Sequence, residues 1–125
     1  MDDTKATLQL LKDNVKKFVN ERDWEKFHYP KNVSMSLAIE AAELMEKFVW
    51  VGSKASVQEL EANRQEVEDE FADVVINILA FANATGIDIA QAVAAKLAST
   101  SKKYPIEKVK GSYEKYKALK KSLKK

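Results

Sequence analysis

Residues 33–49 read VSMSLAIEAAELMEKFV. The run has no proline or glycine and is rich in Ala, Leu, Met and Glu, so its local preference is helical. Wound at 3.6 residues per turn, it is apolar over most of its circumference. Val33, Met35, Leu37, Ala38, Ile39, Ala41, Ala42, Leu44, Met45, Phe48 and Val49 leave one narrow polar stripe of Ser36, Glu40, Glu43 and Lys47. A helix apolar nearly all round is expected to be buried. In a chain of 125 residues, that expectation extends to a subunit interface as well as the chain's own core.

The acids in that stripe are unusual. Glu40 and Glu43 stand three apart, as do Glu70 and Asp73 further on. Residues at i and i+3 share a helix face. Both pairs lie beside apolar neighbours, where a carboxylate is costly unless something positive compensates it. Four carboxylates converging from two helices would suit a hard divalent cation, Mg²⁺ or Mn²⁺, which prefers oxygen ligands. Such an ion could bind phosphate oxygens and make a bound water more acidic. A solvated acidic face is the alternative use of this common spacing, and two features argue against it: the second helix has little other polar surface, and the third repeats the arrangement beside its own apolar stripe. A di-iron bundle usually needs Glu-x-x-His from two helices, and this chain has it once, at Glu25 and His28.

Working outward, Leu8, Leu11, Val15, Phe18 and Val19 predict a first helix over 4–21. Asp23 to Lys31 reads as an aromatic loop closed by Pro30, with Asn32 as N-cap of the second helix. Ser56 and Glu59 have capping-box spacing and predict a third helix running unbroken to about Ala84. Its acidic stripe is Glu66, Glu70, Asp73 and Asn77, and Gly86 stops it. Asp88 caps a fourth helix to about Lys102, and Pro105 ends it. The fold class is therefore all-α and four-helix-bundle-like, in one domain over 1–125 with its core at about 4–105. Residues 106–125 form a tail with eight lysines, of which 112–123 can make a short helix.

The net charge is +2 and there is no cysteine. No global field argues for nucleic acid, and thiolate metal sites and disulfides are excluded. The acidic start, Met1-Asp2-Asp3, is no signal peptide, and no apolar run reaches a membrane span. The expectation is a cytoplasmic protein with no membrane or nucleic-acid partner. There is no glycine-rich phosphate loop and no Cys or Ser nucleophile arrangement. Trp24, Phe27 and Trp50 flank the second helix and are candidates to stack on a nucleobase. Lys96 and Lys103, seven apart on one face, are candidates for phosphate contacts.

The chain resembles the all-α, MazG-like nucleoside triphosphate pyrophosphohydrolases, and most of all the dCTP pyrophosphatase branch. The resemblance rests on Glu21-Arg22-Asp23-Trp24-Glu25-Lys26-Phe27-His28, on Glu40-x-x-Glu43 running into Phe48-Val49-Trp50, on Glu70-x-x-Asp73-Val74, and on Lys103-Tyr104-Pro105 followed by Lys110-Gly111-Ser112. It implies hydrolysis between the α and β phosphates of dCTP or a modified dCTP, with Mg²⁺ held by Glu40, Glu43, Glu70 and Asp73. It also implies a base pocket containing Trp24 and Trp50, a homodimer or homotetramer, and a role in nucleotide-pool house-cleaning. The chain departs from many relatives at Ile39, where they carry a further Glu, at Thr100, where Asn is frequent, and at Asn77, where close relatives have Tyr. The competing expectation is a non-catalytic helical module that binds a nucleotide or a protein partner.

Overall fold

A computed structural model of the chain describes residues 1–124. It is all-helical, with no strand among the described residues. The helices are α1 (Leu8–Glu21), α2 (Pro30–Glu46), α3 (Ala55–Ala62), α4 (Arg64–Thr85), α5 (Ile89–Lys103), α6 (Ile106–Val109) and α7 (Tyr113–Leu123). Contacts divide the chain into two compact units, 1–87 and 88–125. No single helix is long and apolar enough to cross a membrane.

In the first unit, α2 lies along α4 over the most extensive contact in the chain, and α1 packs on α4 as well. Among the described residues the buried side chains are few: Val19 of α1, Val33 of α2, and Val67, Leu79, Ala80 and Ala82 of α4. Asn83 ties α4 to α1 by donating its amide to the Lys12 carbonyl at 2.9 Å. The burial expected all round α2 is not found within one chain. Met35, Ile39 and Met45 are each more than half exposed, and so is Phe71 on α4.

Four helix boundaries differ from the sequence reading, and one of them is the end of the second helix, which stops at Glu46 with Lys47 as its C-cap, short of Phe48 and Val49. Thr7, rather than a residue near 4, caps α1 by accepting from the Leu10 amide at 3.1 Å. The second helix begins at Pro30, with Tyr29 as its extended N-cap. Pro at the first helical position lacks only an N–H that would have no partner there. Asn32 instead lies inside the first turn and donates to the Phe27 carbonyl at 3.0 Å, pinning the aromatic loop. The long third helix is two helices. At Asn63 the backbone leaves the helical region (φ −126°, ψ 33°), and the Asn63 amide donates to the Glu59 carbonyl and carboxylate. Ser56 lies within α3, where its hydroxyl donates to the Ser53 carbonyl, so it is not the cap.

Other stops follow the sequence reading. Gly86 ends α4 at φ 73°, a left-handed conformation that costs glycine nothing. Asp88 caps α5 by accepting from the Gln91 amide at 2.8 Å. In the second unit α6 packs on α7, and Ser112 caps α7. Tyr116 of α7 stacks near Tyr104 and Tyr113, at ring separations of 5.0 and 6.2 Å.

Candidate functional site

The packing of α2 on α4 brings the polar stripe of one against the acidic stripe of the other. Carboxylate oxygens of Glu40, Glu43 and Glu70 all lie within 4.8 Å of one another. This is the one such acid cluster among the described residues. One oxygen each of Glu40 and Glu70 is buried with no hydrogen-bond partner. A buried polar atom without a partner is costly and calls for an explanation such as an ion or water. Three convergent carboxylates, two of them with an orphaned oxygen, match the donor set a hard divalent cation takes.

The electrostatics agree with that geometry. Glu70's carboxyl is held above the usual carboxylate range, first by burial, then by the charge of Glu43, with the nearby Lys47 ammonium opposing the shift. The closeness of Glu43 and the charge of Asp73 add to the rise. The consequence has a definite sign. An acid whose value is higher in the folded state contributes stability below its unfolded value and loses that contribution as pH rises through the folded value. In chelator, wild-type thermal stability should therefore fall across this window more steeply than that of Glu70→Gln. Equal slopes in scanning calorimetry would contradict the assignment.

Asp73 lies outside the trio. It is exposed, one turn beyond Glu70, and its backbone carbonyl accepts from the Asn77 side chain at 2.9 Å. It acts on the cluster through its charge on Glu70. The sequence reading placed Lys47 in the α2 stripe without assigning it a role. Its Nζ lies 3.4 Å from a Glu66 carboxylate oxygen, joining α2 to α4. The signal was present in the spacing, since Lys47 follows Glu43 by four residues and Glu66 precedes Glu70 by four.

Glu43, Glu46, Lys47 and Glu70 line a cavity of about 450 Å³. A second cavity of about 260 Å³ includes Lys47, Trp50, Glu59 and Glu66 in its lining. Trp50 therefore stands at the edge of the acidic region, and it is 91% exposed, with almost nothing of its own chain against it. Trp24 and Phe27 line neither cavity. Trp24 packs edge-on against Phe18 with ring centroids 5.8 Å apart, and Phe27 is more than half exposed. Glu25 and His28 line a separate cavity of about 210 Å³ beside α1 and α4, and neither belongs to the acid cluster. Lys96 and Lys103 are exposed residues of α5, in the second unit.

Residues 35–119 match the model of the MazG-like family. The chain is 33% identical over 112 residues to mouse dCTP pyrophosphatase 1, covering 88% of this chain and 66% of the relative. It is 32% identical over 115 residues to the human dCTP pyrophosphatase 1, covering 90% and 68%. The chain thus spans about two thirds of the length of these relatives. Among solved structures it is similar to a pyrophosphatase from Archaeoglobus fulgidus, with a TM-score of 0.77 and 36% identity over 84% of this chain and 98% of the other.

Proposed function

This chain belongs to the MazG-like family, and on that footing we propose that it is a Mg²⁺-dependent nucleoside triphosphate pyrophosphohydrolase. Its proposed substrate is dCTP or a modified dCTP, cleaved to the monophosphate and pyrophosphate as nucleotide-pool house-cleaning. The observation that carries this reading is the convergence of Glu40, Glu43 and Glu70 with two orphaned oxygens facing no protein donor. These three would hold the ion, with Asp73 as a fourth acid one turn away, and Mn²⁺ would substitute. When bound, the ion supplies positive charge to the phosphate oxygens and lowers the pKa of water.

The chain's own groups do the rest. One carboxylate of the cluster orients the attacking water and accepts its proton. Trp50 at the rim, with Trp24 and Phe27, is assigned to the base, which every aromatic face can stack against. Lys96 and Lys103 stand as candidates for phosphate contacts on their sequence spacing alone. The half-exposed apolar surface of Met35, Ile39, Met45 and Phe71 supports a homodimer or homotetramer, in which a second copy covers α2 and helps complete the pocket. The test is pyrophosphate release from a panel of ribo- and deoxynucleoside triphosphates with Mg²⁺ and with chelator. Metal-dependent release that favours dCTP is expected. Release favouring another base would refute the base assignment, and no release from any substrate would refute the reaction.

A further inference from the structure

The net charge of +2 conceals two opposed parts. Residues 1–87 carry ten lysines and arginines against sixteen acids, and residues 88–125 carry eleven lysines against three acids. The two compact units therefore have formal charges of −6 and +8. A charged partner responds to the local field of the surface it meets, so the global value hides what the second unit can attract. Every ion pair among the described residues lies in the first unit. The lysines of the second unit have no acid partner among the described residues.

The last helix, α7, gives that charge an order. Tyr113, Lys117, Lys120, Lys121 and Lys124 stand at i, i+4, i+7, i+8 and i+11, which is one face of a helix. All five are exposed, and the row covers about 16 Å of helix axis. Lys120 also lies 5.8 Å over the Tyr116 ring. A helix that binds by lying in a membrane surface buries a free apolar face there. On α7 that side is largely occupied: Tyr116 and Leu119 are half-buried, Tyr116 sits 5.0 Å from the Tyr104 ring, and Leu123 alone stays open. What faces outward is a row of ammonium groups headed by an aromatic ring, Tyr113, which is 70% exposed. Ammonium groups neutralise backbone phosphates, and an open ring offers a platform for an unpaired base. We propose that this outer face of α7 binds single-stranded nucleic acid, with Lys117, Lys120, Lys121 and Lys124 on the phosphates and Tyr113 stacked on a base. None of the five belongs to the acid cluster or is assigned to the nucleotide substrate.

The experiment is fluorescence anisotropy of a short labelled oligothymidine titrated with the full chain, between about 50 and 200 mM salt. Folding of each variant is checked by circular dichroism. Four lysine–phosphate contacts on a single strand give log K a slope against log salt of about −2.8, so the wild-type slope should be at least that steep. Changing Lys117, Lys120, Lys121 and Lys124 together to Gln should weaken binding at least tenfold at the lower salt, and flatten the slope by about 2 or more. The same change at four exposed lysines of the first unit, Lys5, Lys16, Lys17 and Lys31, should cost less than threefold. Tyr113→Ala should cost at least threefold and Tyr113→Phe less than twofold, since phenylalanine keeps the ring that stacks. An abasic strand of equal length should bind more weakly than oligothymidine. No wild-type binding at about 100 μM protein, or equal losses from the two lysine sets, would overturn the proposal. So would a Tyr113→Ala that stays within threefold of wild type, or an abasic strand bound as tightly as oligothymidine. A wild type that sediments with phosphatidylserine vesicles and leaves the strand free would overturn it in favour of a membrane surface.

Discussion

Glu43→Gln and Glu70→Gln should each lower pyrophosphate release by about a thousandfold while leaving the helical content and the melting transition of the chain intact. Each substitution keeps the shape of the side chain and removes one negative charge from the trio. A carboxylate that meets a divalent ion and the water beside it is worth several kcal/mol of transition-state stabilisation, and each factor of ten in rate corresponds to about 1.4 kcal/mol. Three carboxylates within 4.8 Å of one another also repel in the metal-free protein, so these variants should be no less stable without metal. That separates loss of function from loss of fold. Asp73→Asn should cost less, on the order of tenfold, because Asp73 stands outside the trio and is exposed. Activity within threefold of wild type in both glutamine variants would sink the site assignment.

A charged residue on the uncovered face of α2 or α4 should dissociate the protein. Ile39 and Phe71 are each 57% exposed, Met45 is 62% exposed and Met35 55%. Large apolar side chains gathered on one face mark an interaction surface, and burying such a side chain stabilises by about 1.5–3 kcal/mol. If a second copy of the chain covers this face, Ile39→Lys or Phe71→Asp places a desolvated charge in the interface, which is strongly unfavourable. Sedimentation should then shift from a dimer or tetramer to a monomer, while wild type stays associated at micromolar concentration. The chain buries only a few side chains of its own among the described residues. Wild-type melting temperature should accordingly rise with protein concentration, as it does when folding and association are coupled. A wild type that sediments as a monomer would remove this part of the account.

Local signals in the sequence that rest on one residue and one backbone requirement were legible. Gly86 stops α4 because its conformation is left-handed there, and Asp88 caps α5 because its carboxylate reaches the Gln91 amide. The all-helical class followed from composition and apolar period. The polar stripes on α2 and α4 identified which faces meet, and the structure brings Glu40, Glu43 and Glu70 together across them. Less legible was any choice between two permitted local answers. Pro30 can end a loop or open a helix, and the structure uses it to open α2. Asn63 gives no periodicity break, yet its side chain satisfies Glu59 groups at the α3–α4 junction and redirects the chain. Asp73 shows the limit of spacing. Sharing a face with Glu70 does not carry its carboxylate into the cluster, because reach depends on where the opposing helix lies. Met35, Ile39 and Met45 of α2 are more than half exposed within one chain, since an apolar period marks a face suited to burial without saying what covers it.

The most direct test of the central claim is the identity of the products. dCTP is incubated with the wild-type protein and Mg²⁺, and the products are separated by ion-exchange chromatography with phosphorus NMR. The account predicts dCMP and pyrophosphate in equal amounts, and none when the metal is chelated. Formation of dCDP and orthophosphate, or equal rates with and without metal, would contradict it.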